Sequence, residues 1–216
     1  MQRTSTPTSY IVMFGTVMVG LFAYLTFRIM GDNPMWIDTY IREVLVRPDS
    51  SSIYTFFRYF TKSGSAIGVV ILLVLSVLFF YMRDKDFKAM ILLPIAVLMT
   101  HFLNDGVKAL TQRDRPAINP IIDAVGYSFP SGHAMISMVA YGLAAYLIVC
   151  KLRSDVAKCI VTCVAIVFIF LNGLSRIILS AHYPTDVIAG YIFGGCILYG
   201  CIYVYNTLGN REGMRG

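Results

Sequence analysis

Six long apolar stretches constrain the fold of this chain more than any other feature. Each comes close to the roughly 20 mostly apolar residues that a helix needs to cross a bilayer. They are Tyr10–Met30, Ser65–Met82, Ala89–Lys108, Ala134–Cys150, Cys159–Leu179 and Thr185–Asn206. A chain crossing a membrane must satisfy its backbone polar groups internally, and helices do so. The sequence therefore predicts an all-α, polytopic membrane protein built as a bundle of six transmembrane helices.

The composition agrees with a membrane protein. Hydrophobic residues make up 57% of the 216 residues and charged residues 14%, whereas about a quarter of the residues of a soluble domain are charged. We therefore expect one integral membrane domain over residues 1–216, with membrane lipids as neighbours and no nucleic acid partner. The first stretch is too long for the core of a signal peptide, so we expect a retained helix.

The longest connection, from Gly31 to Gly64, contains a pattern typical of a short helix. Asn33-Pro34 predicts its start, because asparagine caps helices and proline is tolerated in a first turn. The next residues place apolar side chains on one face: Trp36, Tyr40, Ile41 and Val44. This face favours a helix lying in the membrane interface, although an ordinary packed loop helix fits the pattern as well.

Charged residues cluster at the ends of the apolar stretches, and the first cluster contains Lys108 and Arg115. Seven residues are nearly two helical turns, so both cations should share one helix face, and Pro116 should end the helix. Alone, such a pair would indicate cations that extend from a membrane boundary into water. Arg113 and Asp114 between them are expected to form a solvated local pair.

The second cluster, Pro130-Ser131-Gly132-His133, directly precedes an apolar stretch. Ser131 can cap the following helix, and Gly132 lets an anion approach the backbone amides at the positive end of the helix dipole. His133 would then lie beside the anion, in position to donate a proton.

The third cluster spans Ser175 to Asp186 and includes Arg176 and His182. His182 and Asp186 are four residues apart, so their side chains can meet on a helix. A carboxylate on one imidazole nitrogen fixes the tautomer and leaves the other nitrogen free to attack. A structural His–Asp pair at a helix end is the competing interpretation, but it does not explain Arg176.

Three further features bear on the site. Asn104 and Asp105, one turn before Lys108, are expected to support it, and His101 is expected to be a structural, hydrogen-bonded histidine within the third stretch. The sequence offers no acidic cluster for a metal, so we expect no metal and no other cofactor. Gly190-x-x-x-Gly194 favours close packing inside one bundle over a dimer interface.

Alternation of the six stretches places all three clusters on one side of the membrane. Both sides have nine Lys/Arg, with four acidic residues on the opposite side and eight on the cluster side. The bias becomes visible once Lys108, Arg115 and Arg176 of the cluster side are assigned to a site. Positive short loops prefer the cytoplasm. We therefore expect a plasma membrane protein whose site faces outside or the periplasm and whose termini are cytoplasmic.

Together, Lys108-x6-Arg115-Pro116, Pro130-Ser131-Gly132-His133 and Ser175-Arg176-x5-His182-x3-Asp186 resemble the three motifs of the type 2 phosphatidic acid phosphatase family. The resemblance implies a six-helix membrane enzyme, with its motif core at 104–190, that dephosphorylates lipid phosphates without a metal. It further implies specific roles for the motif residues. His182 would be the nucleophile that forms a phosphohistidine, Asp186 its orienting partner and His133 the acid for the leaving group. The phosphoryl oxygens would be held by Lys108, Arg115, Ser131, Gly132 and Arg176.

Two other classes of protein also place charges in this way. A transporter or channel would have polar residues near mid-span in several helices, whereas here they cluster at helix ends. Vanadium-dependent haloperoxidases have a pocket of similar chemistry, because vanadate mimics phosphate, but they are soluble. For the phosphatase, the connection 117–129 has one acid and no base, which favours a compact headgroup. Undecaprenyl diphosphate is the preferred substrate if the source is bacterial, ahead of phosphatidylglycerophosphate and phosphatidate, and the oligomeric state stays open.

Overall fold

The computed structural model describes residues 6–31, 35–116 and 126–213, whose regular secondary structure is helical throughout. The helices are α1 (Thr6–Met30), α2 (Trp36–Leu45), α3 (Ser52–Phe60), α4 (Ala66–Arg83), α5 (Phe87–Thr111), α6 (Gly132–Val149), α7 (Asp155–Ile178) and α8 (Pro184–Gly213). A short 3₁₀ helix, Thr61–Gly64, follows α3. The all-α prediction is confirmed.

Five of these helices, α4 to α8, are long and apolar enough to cross a membrane. The apolar part of α1, Gly15–Met30, is shorter, within a helix of 25 residues. The predicted stretches differ from the helix bounds by at most four residues, except that α8 continues seven residues beyond Asn206. Many large apolar side chains on α4, α5 and α7 are exposed, as lipid-facing helices require. The chain is an integral membrane protein.

Helix α6 is the centre of the bundle and packs against α4, α5, α7 and α8. One large apolar side chain per turn is fully buried along it: Met135, Val139, Leu143 and Leu147. This spacing of four residues places all of them on one helix face, because an α-helix has 3.6 residues per turn. The central position of α6 fixes its N-terminus, where the second motif begins, among the neighbouring helices.

Two glycines of α8 allow this helix to approach α6 closely. A Cβ atom on Gly190 would lie 2.7 Å from the carbonyl oxygen of Ser131, and one on Gly194 would lie 2.8 Å from that of Met135. Any side chain would therefore push α8 away from the start of α6. The expectation that this pair of glycines packs inside one bundle is confirmed.

The short helix predicted after the first span is present as α2. It exposes Trp36, Tyr40 and Val44 and buries Asp38. The predicted start at Asn33-Pro34 lies outside the described residues, and the described helix begins at Trp36 with Met35 at its N-cap. Helix α3 and the 3₁₀ helix were not predicted. Ser51 caps α3 by accepting a hydrogen bond from the Tyr54 amide.

At the end of the bundle opposite the motifs, Lys151 joins two turns. Its ammonium group lies 2.8 Å from a carboxylate oxygen of Asp84 and also pairs with Asp86. The Tyr205 hydroxyl of α8 donates a hydrogen bond of 2.6 Å to Oδ2 of Asp86. The α4–α5 and α6–α7 turns therefore lie at one end, as the alternation predicts. We call Lys151, Asp84 and Asp86 the Lys151 clamp.

Candidate active site

His182 and Asp186 meet where α7 turns into α8. The turn runs through Ser180, whose φ of 54° is left-handed, and α8 then begins at Pro184. Nδ1 of His182 lies 3.5 Å from Oδ2 of Asp186, and both side chains are almost fully buried. The same carboxylate oxygen accepts hydrogen bonds from the Tyr183 amide and the Ser128 hydroxyl. Asp186 is thus held in place and faces one nitrogen of the imidazole.

The other imidazole nitrogen, Nε2, faces Arg115. The distance from Nε2 to a terminal guanidinium nitrogen of Arg115 is 3.1 Å. Arg115 also donates to the carbonyl oxygens of Ala181, at 2.9 Å, and Gly126, at 2.7 Å. An arginine nitrogen only donates, so Nε2 accepts, and the ring proton belongs on Nδ1 towards Asp186.

Electrostatics keep this imidazole neutral. Burial lowers the pKa of His182 to about 4, and the charges of Arg176 and Arg115 act in the same direction, although Asp186 opposes them. At neutral pH the ring therefore has no proton on Nε2, whose lone pair accepts from Arg115. A neutral imidazole with a fixed tautomer is the form in which histidine acts as a nucleophile.

The prediction that Lys108 and Arg115 share one helix face was wrong. Helix α5 ends at Thr111 because Gln112 adopts the left-handed conformation, with φ 46°, and its amide closes the last turn on the Lys108 carbonyl. Arg115 follows in an irregular segment. That segment lets it reach His182, while Lys108 stays on the helix.

The second motif forms the N-terminus of α6. The buried Ser131 is the N-cap, as predicted, and its hydroxyl accepts from the Ala134 amide at 3.5 Å. Gly132 faces the first motif, because a Cβ atom there would lie 3.9 Å from Nζ of Lys108 and 3.1 Å from Oδ1 of Asn104. Asn104 also donates to the Pro130 carbonyl at 3.2 Å, and so supports this turn as expected.

Asp105 and His101 lie away from this turn. The two side chains are 3.5 Å apart and more than half exposed. His101 thus has a polar partner, as predicted, but that partner is Asp105. Asp105 acts on Lys108 only through its charge, so its expected support of the site is limited to electrostatics.

Arg176 is the most buried cation of the site, with 3% of its surface exposed. One terminal nitrogen donates to the Thr61 hydroxyl at 3.1 Å, while Nε is buried and has no hydrogen-bond partner among the described residues. Its charge acts on both His133 and His182. Buried donors are normally satisfied, so a guanidinium placed this way is suited to an anionic oxygen.

His133 lies in the first turn of α6, where the charges of Arg176, His182, Lys108 and Arg115 act on it. The 3₁₀ helix packs directly over its ring: a Cβ atom on Gly64 would lie 3.0 Å from Cδ2 of His133 and 2.3 Å from Oδ1 of Asn172. The structure therefore brings all eight predicted site residues to one end of the bundle: Lys108, Arg115, Ser131, Gly132, His133, Arg176, His182 and Asp186.

Sequence reasoning missed two charged residues at this site. Arg113 was expected to pair with Asp114 in solvent, and this was wrong for Arg113. Its guanidinium donates to Asp186 of α8 and, at 2.7 Å, to Asp38 of α2, while Asp114 is exposed. Burial lowers the pKa of Arg113, but Asp186 and Asp38 raise it overall. The available signal was Asp38, an acid close to the apolar residues Trp36, Ile37, Tyr40 and Ile41 of α2.

Chemically, this arrangement can hold a tetrahedral oxyanion. Three cations and the amides of a helix N-terminus supply positive charge at fixed positions. A neutral imidazole and a second histidine lie beside them. Among the described residues, no three His, Cys, Asp or Glu side chains are grouped as a metal site would require. Phosphoryl transfer depends mainly on such positioning and charge neutralisation.

Comparison with known proteins agrees with this chemistry. A profile of the PAP2 superfamily matches residues 88–210, which include every residue of the three motifs. The chain belongs to the PAP2 superfamily. The two relatives described next are lipid phosphatases, and this chain is a member of the same family of membrane lipid phosphatases.

Two curated relatives show the similarity in detail. Phosphatidylglycerophosphatase B of Bacillus subtilis is 32% identical over 154 residues, which cover 70% of this chain and 73% of the relative. Lipid A 4′-phosphatase of Bacteroides thetaiotaomicron is 30% identical over 156 residues, covering 65% of this chain and 66% of the relative.

Two solved structures share the fold. The PAP2 type phosphatidylglycerolphosphate phosphatase of Bacillus subtilis superposes with a TM-score of 0.82 at 24% identity, covering 89% of this chain and 96% of that one. Aquifex aeolicus LpxE gives a TM-score of 0.64 at 20% identity, covering 80% and 98%.

Proposed function

We propose that the chain hydrolyses a lipid phosphate or diphosphate through a phosphohistidine intermediate on His182. The orientation of the His182 ring carries the proposal. Nδ1 faces Asp186 at 3.5 Å, and Nε2 faces the cation Arg115 at 3.1 Å. A nucleophilic nitrogen in this position lies where the positive groups of the site would hold a phosphoryl group.

In the first step, the phosphoryl oxygens are held by Lys108, Arg115, Arg176 and the backbone at Ser131 and Gly132. Nε2 of His182 attacks phosphorus, and the bond from phosphorus to the leaving oxygen breaks. His133 protonates that oxygen. Asp186 stabilises the positive charge that develops on the imidazole of His182.

In the second step, water attacks the phosphohistidine. His133, now neutral, takes a proton from the water, the N–P bond breaks, and inorganic phosphate leaves with His182 restored. His133 thus acts as acid and then as base, which predicts a bell-shaped dependence of rate on pH. The scheme has no step for a metal ion.

Trapping of the intermediate tests this mechanism. The purified protein is mixed with ³²P-labelled phosphatidate and quenched in alkali, in which phosphohistidine survives. We expect label on the wild type and none on His182→Ala, because that variant lacks the nitrogen that forms the bond to phosphorus. Turnover should persist in excess chelator and be blocked by vanadate. Activity lost in chelator and restored by magnesium would contradict the scheme.

For the substrate, we propose undecaprenyl diphosphate. Three cations and a connection with one acid and no base suit a compact, doubly phosphorylated headgroup whose leaving group is itself a phosphate. The relative named phosphatidylglycerophosphatase B supports phosphatidylglycerophosphate as the second candidate. Values of kcat/KM measured in one liposome system decide between them. A tenfold preference for the glycerophospholipid, about 1.4 kcal/mol, would reject the polyprenyl substrate.

For the location, we propose the plasma membrane, with the site facing outside or the periplasm and both termini in the cytoplasm. The larger number of Lys and Arg residues outside the proposed site at the other end of the bundle supports this orientation. In a variant lacking the five native cysteines, a cysteine at Ser50 should react with an impermeant thiol reagent on intact cells, and one at Asp155 should not. The opposite labelling pattern would place the site in the cytoplasm.

A further inference from the structure

Two residues that the proposed reaction does not use are linked to Asp186: the partly buried Arg113 directly, and the buried Asp38 through Arg113. Arg113 is the centre of the link: one terminal nitrogen donates to Oδ1 of Asp186, and the other donates to Oδ2 of Asp38 at 2.7 Å. The exposed side-chain fractions are 13% for Arg113, 2% for Asp38 and 0% for Asp186. We call these three residues the Arg113 clamp.

The clamp joins three elements at the nucleophile. Asp38 belongs to α2, Arg113 to the segment after α5, and Asp186 to the first turn of α8. Asp38 also accepts from the Thr185 amide at 2.9 Å and from the Thr185 hydroxyl at 2.8 Å. It therefore satisfies an amide at the N-terminus of α8 that has no partner within the helix.

The charges of the clamp have a consequence for His182. With Arg113 alone beside it, the negative charge of Asp186 would be largely offset by the positive charge of Arg113. The pair would then stabilise a positive imidazole poorly. Asp38 is a second acid on the same guanidinium, so the clamp as a whole has one net negative charge. That charge lies next to Nδ1 of His182, whose ring becomes positive when Nε2 is phosphorylated.

We propose that Arg113 and Asp38 are positioning residues, through which the clamp orients Asp186 and preserves its negative charge for His182. This inference rests on the proposed phosphohistidine function. Neither residue is among those that hold the phosphoryl group in the proposed reaction. A purely structural link between α2 and α8 would explain the hydrogen bonds from Thr185 to Asp38. It would not explain the hydrogen bond from Arg113 to Asp186, the carboxylate that faces His182.

The proposal predicts that two substitutions affect the pKa of His182 differently. Arg113→Met removes a positive charge near His182 and should raise its pKa, whereas Asp38→Asn removes a negative charge and should not raise it. The double variant has the wild-type net charge and should return towards the wild-type value. Other groups acting on His182 are unchanged in all variants: His133 of α6, Arg176 of α7 and Arg115 after α5. Lys108 of α5, whose charge acts on His133, is unchanged as well.

The chain offers a direct measurement, because it contains only three histidines. Protein labelled with ¹³C at histidine Cε1 is titrated by NMR in detergent micelles, and the His182 signal is assigned as the one absent from His182→Ala. We expect its titration to move up by at least half a pH unit in Arg113→Met and not to move up in Asp38→Asn. An equal shift in both variants, or none in either, would overturn the proposal.

Kinetics with dioctanoyl phosphatidate in the same micelles complete the test. We expect kcat to fall at least tenfold in Arg113→Met and Asp38→Asn while KM changes less than threefold, and Arg113→Lys, which keeps the charge but not the fork, to recover part of the loss. The controls are Glu43→Gln, an exposed acid on α2, and Lys151→Met, and neither should change kcat more than twofold. A loss in KM alone would contradict positioning.

The two measurements separate the possible failures. The NMR titration needs no turnover, so a wild type that releases no phosphate would count against the proposed function and leave the clamp testable. Thermal unfolding of each variant identifies loss of structure. If Asp38→Asn unfolds, it is replaced by Asp38→Glu, which keeps the charge at a changed distance. A wild-type kcat in Asp38→Glu, together with an unshifted His182 titration in Arg113→Met, would overturn the proposal.

Discussion

The two ends of the bundle each contain one cation held between two carboxylates, and the two clamps differ in burial and in what they contact. In the Lys151 clamp, Asp84 and Asp86 keep 42% and 10% of their side chains exposed. In the Arg113 clamp the acids are almost fully buried, and one of them faces His182. The Lys151 clamp joins turns, whereas the Arg113 clamp joins helices beside the proposed nucleophile.

The choice of cation follows this difference. Arginine presents a planar fork that can bind two carboxylates in fixed directions, whereas lysine is a compact and strongly hydrated charge. Burial of ions is costly unless they are paired, so a buried clamp needs the fixed geometry of arginine. A half-exposed clamp tolerates lysine because water screens its charges. We therefore expect the same charge pattern to act in the proposed reaction at one end and mainly to stabilise the fold at the other.

The largest effect is expected for the nucleophile at the motif end. His182→Ala should lower turnover at least a thousandfold, about 4 kcal/mol of barrier, because no neighbouring group can form the same intermediate. Steady-state phosphate release from the purified variant is the measurement, with thermal unfolding as the control for folding. Residual activity above one thousandth of the wild-type rate would exclude His182 as the nucleophile.

A somewhat smaller effect is expected for Arg176. Arg176→Gln should lower kcat/KM about a hundredfold, about 2.7 kcal/mol, because it removes a buried charge whose Nε has no protein partner in the described residues. Lys151→Met is the matched removal of one cation at the opposite end and should leave kcat/KM within twofold. Equal losses in the two variants would mean that the ends are not functionally distinct.

The effect expected for Gly64 lies between those for Arg176→Gln and Lys151→Met, because Gly64 contacts the site only through packing. A Cβ atom there would be 2.3 Å from Asn172 Oδ1 and 3.0 Å from the His133 ring, so Gly64→Ala must displace one of them. We expect kcat to fall about tenfold, in line with the loss that a misplaced catalytic group causes. Gly195→Ala, whose Cβ would meet nothing within 4 Å, is the control, and an equal loss there would contradict the packing argument.

Much of this fold could be predicted from the sequence because membrane crossing depends on local composition. The bounds of α4 and α6 follow from where apolar residues begin and end. The capping role of Ser131 was also predictable, since a cap requires only the residue and the helix that follows it. Such features depend on neighbours in the sequence and need no knowledge of tertiary contacts.

The Arg113 clamp could not be predicted for the opposite reason. Arg113 is 75 residues from Asp38 and 73 from Asp186 in sequence, whereas Asp114 is adjacent and offered an apparent partner. The end of α5 was misjudged in a related way. Pro116 is an obvious stop signal, but the left-handed conformation of Gln112 ends the helix earlier, and Gln112 is not a residue that usually adopts it.

The smallest effect on turnover is expected for the Lys151 clamp, where stability is the relevant quantity. Lys151→Met should lower the free energy of unfolding by about 1 kcal/mol, since partly exposed ion pairs contribute no more. Burial lowers the pKa of Lys151, but Asp84 and Asp86 raise it overall. Burial likewise raises the pKa of Asp86, but bonds from Lys151, Tyr205 and the Ala89 amide lower it overall.

These two shifts define a pH window for the difference in stability between wild type and Lys151→Met. A raised lysine pKa keeps its contribution complete below the ordinary value of about 10.4, and a lowered aspartate pKa keeps its contribution complete above about 3.9. The difference should therefore be constant from about pH 5 to pH 9 and should shrink as Asp86 is protonated in acid. Unfolding in detergent at several pH values measures it. A difference that instead grows in acid, or that accompanies a loss of kcat, would show that the Lys151 clamp is coupled to the site and that the two ends are not independent.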